Sequence, residues 1–210
     1  MAKEQVFAAM RELHEDDALA RHIADTTRKS RYRHTADIEA RYGRRSSWYA
    51  FTRLAKPGLV VETGVDKGLG ACVFAAALLR NADDGRPGQY IGIDIDPNAG
   101  WLLAAPYDDV AQVRYGNSLT TLTGVSEPID VFLHDSDHSP SHERAEYLAA
   151  AGKLSHRAII LSDNAHVTDE LREFAAATGR SFDIWHEMPE AHWYPGSATG
   201  VAWHPTVSTQ

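Results

Sequence analysis

Residues 60–71 read VVETGVDKGLGA: a short β-branched run ends in Glu62, a turn with glycines at 64, 68 and 70 follows, and the apolar stretch Ala71 to Leu79 opens a helix. Glycines in such a strand–turn–helix unit let backbone approach a ligand closely. A dinucleotide fingerprint would put glycines at 64, 66 and 69, but Asp66 and Leu69 stand there, and an aspartate repels a pyrophosphate. A Walker loop would need Gly-Lys-Ser or Gly-Lys-Thr where the chain has Lys67-Gly68-Leu69. An acidic strand end before a glycine turn suits a ligand with a cationic amine and no phosphate, a description that S-adenosylmethionine meets. A turn that needs small residues only for helix packing would read the same way.

On the N-terminal side, residues 2–55 carry helical spacing: Val6, Met10 and Leu13, then Leu19, His22 and Ile23, then Trp48, Phe51 and Leu54. Lys56-Pro57-Gly58 punctuates the chain. Beyond it, strands are expected at 59–62, 90–94, 112–115, 129–134, 158–162, 182–187 and 200–203. The intervals between the first five have room for crossover helices, so those strands should be parallel and covered on both faces. The last two should be antiparallel at a sheet edge, joined by a Pro- and Gly-rich loop. Residues 1–57 thus read as an N-terminal helical cap segment and 58–210 as the α/β domain.

The chain has 210 residues, 43% hydrophobic and 24% charged, enough for one sizeable core. Its net charge of −8 argues against a nucleic-acid partner, which needs clustered Lys and Arg. The charge is uneven: residues 1–57 hold 12 Lys+Arg against 8 Asp+Glu, residues 58–210 hold 9 against 21. The basic segment is either a solvated piece docked on an acidic body or a cap that meets an anionic ligand. The longest apolar stretches fall short of the roughly 20 residues of a membrane span, so no membrane partner is expected. The stretch MAKEQVFAAMRELHEDD has no apolar run of signal-peptide length, and a cytoplasmic location follows. Cys72 is the only cysteine, which excludes an intrachain disulfide or a cysteine-built zinc cage.

The second strand, IGIDIDP (91–97), ends in Asp94, where a carboxylate can accept from both ribose hydroxyls of an adenosine ligand. After the third strand, Asn117 and Ser118 either meet the adenine edge or cap a helix. The fourth and fifth strands, DVFLHDSDHSPSH (130–142) and AIILSDNAH (158–166), end in carboxylates. If these strands are neighbours, Asp135, Asp163 and Asn164 converge as oxygen ligands for a hard divalent cation, magnesium or calcium. The competing reading is a set of helix caps. His134, His138, His142 and His166 lie by this cluster, and an imidazole that titrates near neutral pH can serve as a general base. The loop EMPEAHWYPGSAT (187–199) suits a substrate-pocket lining through His192, Trp193 and Tyr194, a packed edge, or a contact in a homo-oligomer.

The order of these motifs over residues 58–204 resembles the class I S-adenosylmethionine-dependent methyltransferases. The resemblance implies a Rossmann-like seven-stranded sheet, mostly parallel with an antiparallel last strand and helices on both faces. It places Glu62, Gly64 and Asp94 on the amine, backbone and ribose contacts of the cofactor, with Ser118 and Asp135 beside it. The glycine that is central in that family's first motif is Asp66 here. Asp135 and Asp163-Asn164 are similar to the metal ligands of the catechol and caffeoyl-CoA type O-methyltransferases, and Asp135 to His138 are similar to an Asp-Ser-Asp-His sequence of the macrocin-type enzymes. His138 stands where the catechol enzymes carry the lysine that deprotonates the acceptor. The resemblance therefore implies methylation of a small-molecule hydroxyl with a divalent cation, magnesium by this reading, and His138 as the base. A nicotinamide-dependent oxidoreductase and a non-catalytic adenosine-ligand binder on the same fold are the alternatives.

Overall fold

The computed structural model describes residues 3–35, 42–163, 165–187 and 197–205. Helices α1 (Lys3–His14), α2 (Asp17–Lys29) and α3 (Ser46–Ala55) come first. Lys56 ends α3 in the left-handed region at φ 48°, and Pro57 and Gly58 follow. Strands and helices then alternate: β1 (Leu59–Thr63), α4 (Leu69–Asp83), β2 (Gln89–Asp94), β3 (Ala111–Tyr115), α5 (Ser118–Thr123), β4 (Ile129–His134), α6 (Pro140–Ala151), β5 (Leu154–Ser162), α7 (Glu170–Ala177), β6 (Ser181–Glu187) and β7 (Ser197–Trp203). Among the described residues no helix is long and apolar enough to cross a membrane.

The strands form one Rossmann-like sheet in the order β3-β2-β1-β4-β5-β7-β6. β1 to β5 run parallel, and β7 lies antiparallel between β5 and β6. Because β1 pairs with β2 on one side and β4 on the other, the crossovers diverge there and a crevice opens at the carboxyl ends of the strands. β5 starts at Leu154, earlier than the expected 158. Leu154 pairs with Ile129 ahead of a register shift, and the intervening Ser155, His156 and Arg157 are partly or fully exposed polar residues that carry no apolar alternation.

Alternation within the strands splits the core in two. Val60, Val131, Leu133 and Leu161 face α3 and α4, while Val61, Ile93, Phe132 and Ile160 share the opposite core with Tyr147 of α6 and Leu171 of α7. Helix α4 is apolar nearly all round, because the sheet lies under it and the N-terminal helices cover it. Trp48 of α3 stacks on Phe74 of α4 with centroids 5.8 Å apart, and Phe74 stacks on Tyr90 of β2 at 5.7 Å. Leu13, Leu19, Trp48 and Tyr49 are wholly buried in this same cluster. Residues 3–35 and 42–55 therefore share a core with the sheet.

Candidate functional site

The glycine turn after β1 is stitched into both neighbouring strands. Gly64 N donates to the Ile93 carbonyl of β2, and Asp135 N donates to the Thr63 carbonyl, each at 2.9 Å. Gly64 has φ 85°, and a Cβ there would lie 2.0 Å from the Asp135 carbonyl oxygen, so only glycine fits. Asp66 adopts φ 48° itself. Aspartate enters the left-handed region more readily than most residues, so the turn keeps a glycine-like bend at this position.

A cavity of about 450 Å³ opens above the turn. Gly64, Asp66 and Asp94 line one part of it, Asn117 and Ser118 another, and Asp135, Ser136 and His142 a third. Asp94 Oδ2 accepts from Val65 N at 2.8 Å and Asp66 N at 3.0 Å, and Oδ1 accepts from Asp96 N at 2.8 Å. A carboxylate offers roughly four lone-pair positions, so about one is left for a ligand where the sequence reading expected two ribose contacts. Asn117 caps α5 by accepting from Thr120 N at 3.2 Å, as one of its two readings expected, and it lines the cavity as well. Ile95, three-quarters exposed, adds an apolar wall that sequence reasoning did not single out, although it directly follows Asp94.

Glu62 does not line this cavity. It is buried beside Gly70 and Trp48, where an added Cβ at Gly70 would come within 2.6 Å of Glu62 Oε1, and it accepts a hydrogen bond from the Tyr90 hydroxyl. Burial pushes its carboxyl up to about 8, against the lowering effects of Tyr90 and Arg45.

A second buried carboxylate, Glu146 of α6, organises the other side. Oε1 accepts from Ser136 Oγ at 2.8 Å and is 3.0 Å from His142 Nε2; Oε2 accepts from Thr63 Oγ1 at 2.5 Å and is 2.7 Å from His134 Nδ1. Burial alone would raise this carboxyl, but the hydrogen bond and charge of His134, with further hydroxyl donors, draw it down to about 2. Glu146 is thus an anion that holds His142 at the cavity wall, and His142 also lies 3.3 Å from Ser118 Oγ. Sequence reasoning missed this residue; the i, i+4 spacing of His142 and Glu146 was the available signal.

At the ends of β4 and β5, ligand atoms of Asp135, His138 and Asp163 all lie within 4.8 Å of one another. His138 Nε2 is 3.7 Å from Asp135 Oδ1. Burial and the neighbouring Asp163 carboxylate hold the Asp135 carboxyl well above the usual carboxylate range. Burial, then His134, lowers the pKa of His138, so the ring is a neutral acceptor at neutral pH. Arg44, 119 positions away in sequence, reaches this cluster with Nη2 2.6 Å from Asp163 Oδ2, a contact that no local pattern announces. The two carboxylates that converge here offer oxygen ligands that fit a divalent cation, with the His138 imidazole beside them. Asn164 and residues 188–196, including His192, Trp193 and Tyr194, lie outside the described residues.

Residues 61–165 match the family model described as a methyltransferase domain. No curated protein matches the chain. Among solved structures, the chain is similar to an O-methyltransferase from Bacillus cereus in complex with SAH, with TM-score 0.63 and 13% identity over 90% of this chain and 92% of that one. It is also similar to the O-methyltransferase TomG from Streptomyces achromogenes, involved in tomaymycin synthesis and in complex with SAM, with TM-score 0.61 and 17% identity over 97% and 99%. A methyltransferase from Geobacter sulfurreducens gives TM-score 0.61 and 18% identity over 97% and 98%. At these identities the likeness is one of fold.

Proposed function

The chain belongs to the methyltransferase-domain family, and from that premise we propose that it transfers the methyl group of S-adenosylmethionine to a hydroxyl oxygen of a small molecule. The observation that carries this reading is the cavity that runs from Asp94 and Ser118 past Gly64 to Asp135, one side chain away from His138 and Asp163. The complexes with SAM and SAH among the similar structures support the cofactor. The nicotinamide alternative has no support in the family match, and Asp66 still opposes it. The acidic net charge supports a small-molecule acceptor over a nucleic acid, and a cytoplasmic location belongs to the same proposal.

S-adenosylmethionine, when bound, supplies a methyl carbon on a sulfonium, whose carbon–sulfur bond breaks as the acceptor oxygen attacks. Asp94 accepts one ribose hydroxyl while it fixes the turn through Val65 and Asp66. Gly64 brings backbone against the ligand, and Asn117, Ser118 and His142 offer polar groups to the adenine edge. Glu62, away from the cavity wall and hydrogen-bonded to Tyr90, has no direct contact with the cofactor in this reading. Asp135 and Asp163, with Asn164, would hold a divalent cation, by this proposal magnesium, which when bound lowers the pKa of a coordinated hydroxyl. His138 accepts the hydroxyl proton.

Isothermal titration should show S-adenosylmethionine and its demethylated product binding to the folded protein. No binding of either would overturn the reading, and binding without transfer to any hydroxylated acceptor would favour the non-catalytic alternative. Chelation with EDTA should abolish turnover and magnesium restore it; full activity in chelator would reduce the acidic cluster to a structural role. Asp94→Ala should weaken cofactor binding by about tenfold or more, since a charged hydrogen bond contributes roughly 1.5–3 kcal/mol and the turn loses its anchor as well. Unchanged affinity by the same titration would place the ribose elsewhere.

A further inference from the structure

The turn before α3 brings two arginines to the carboxylate cluster. Arg44 Nη2 lies 2.6 Å from Asp163 Oδ2; the Asp163 side chain is fully buried, and that of Arg44 is 24% exposed. The Arg45 guanidinium sits 5.1 Å from the centre of the Trp48 ring, and its charge acts on both Glu62 and Asp135. The turn is not loose chain. Glu187 of β6, itself buried, accepts from Ser46 N and Ser47 N at 3.0 Å each and so pins the start of α3 to the sheet.

Two consequences follow for a cation held by Asp135 and Asp163. First, Asp163 is already paired with Arg44, so the cation must compete with a charge-assisted hydrogen bond in a buried setting. Second, a divalent cation at Asp135 and Asp163 would sit beside the guanidinium of Arg44 and within the field of Arg45, and like charges held close together repel. Uncompensated charge inside a low-dielectric site is costly. A ligand that brings negative charge to Arg44 removes both costs at once. A planar guanidinium is suited to a carboxylate in particular, which it can bind through two parallel hydrogen bonds.

We infer that the acceptor is a hydroxylated carboxylic acid, its carboxylate paired with Arg44 and its hydroxyl presented to Asp135 and His138, so that acceptor and divalent cation each favour the binding of the other. This rests on the cation-assisted methyl transfer proposed above and goes beyond it by naming the acceptor's charge. It also gives the basic N-terminal segment a ligand to meet, through Arg44.

The test uses Mn²⁺ as the probe, with its free concentration read by electron paramagnetic resonance. Mn²⁺ is titrated into the full chain saturated with S-adenosylhomocysteine, alone, with catechol, or with 3,4-dihydroxybenzoate, and corrected for Mn²⁺ that each acceptor binds in buffer. The carboxylate-bearing acceptor should raise Mn²⁺ affinity about tenfold more than catechol does, within the usual range of coupling between sites. Arg44→Met should tighten Mn²⁺ binding in the absence of acceptor and erase the difference between the two acceptors, while Arg44→Lys should keep part of it. Equal Mn²⁺ affinity with both acceptors, or a difference that survives Arg44→Met, overturns this inference alone. No Mn²⁺ binding in any arm, with turnover that survives chelation, overturns the cation reading and this inference with it.

Discussion

Replacing His138 by glutamine should lower turnover by roughly 10² to 10⁴, the usual contribution of a positioned proton acceptor, while cofactor affinity stays within about twofold. The geometry makes the two effects separable. His138 is partly exposed at the mouth of the cluster, 3.7 Å from Asp135, and it is absent from the walls of the cofactor cavity. Glutamine keeps the size and a hydrogen-bonding head and removes the basic nitrogen. Part of the lost rate should return at high pH, where the acceptor hydroxyl ionises without help, and an acidic phenolic acceptor should lose less than an aliphatic alcohol. Steady-state rates across pH with titration calorimetry on the same preparation check this. Turnover within about twofold of wild type at neutral pH would pass the role to water or to His166. His142 is the poorer substitute, because Glu146 and Ser118 already hold it at the cavity wall.

Deleting residues 1–57 should leave a chain that does not fold. Leu13, Leu19, Trp48 and Tyr49 are wholly buried against α4 and the sheet. Full burial of one large apolar side chain contributes about 1.5–3 kcal/mol, so these four alone rival the roughly 5–15 kcal/mol by which a domain is stable. The deletion also bares Phe74 on α4 and strips Glu187 of the two backbone amides it accepts from. Circular dichroism and gel filtration should show aggregation or a non-cooperative melt. A monodisperse, cooperatively melting fragment that methylates normally would make the N-terminal segment an independent unit.

What the sequence made legible was whatever local pattern encodes. Runs such as Ile129 to His134 announce buried parallel strands, and the step from Glu62 into Gly64 announces a tight glycine turn, because strand period and glycine conformation act over a few residues. The polar start of β5 escaped, since Ser155 to Arg157 fall in the register shift between the Leu154 and Ile159 pairs and show no apolar face. The partner of Asp163 escaped for a different reason: Arg44 lies 119 positions away, and tertiary contacts such as the hold of Glu187 on Ser46 and Ser47 bring it there. Glu62 illustrates a third limit. Its identity and position fit a ligand contact, yet its carboxyl is taken up by Tyr90, a cross-strand neighbour whose direction no motif states.

The place of β7 between β5 and β6 bears on how the protein is made. A ribosome releases β6 before β7, yet β6 makes its sheet pairings through β7, and β5 has no partner on that side until β7 arrives. Between the completion of β5 and the arrival of β7 the nascent chain therefore carries an open strand edge at β5, lined by Ile159 to Ser162, and then a β6 segment with nowhere to dock. Premature termination after Glu187 and before Ser197 would leave both defects permanent, so such truncated products should be ready substrates for chaperones and proteases even though they contain the glycine turn, Asp94, Asp135 and Asp163.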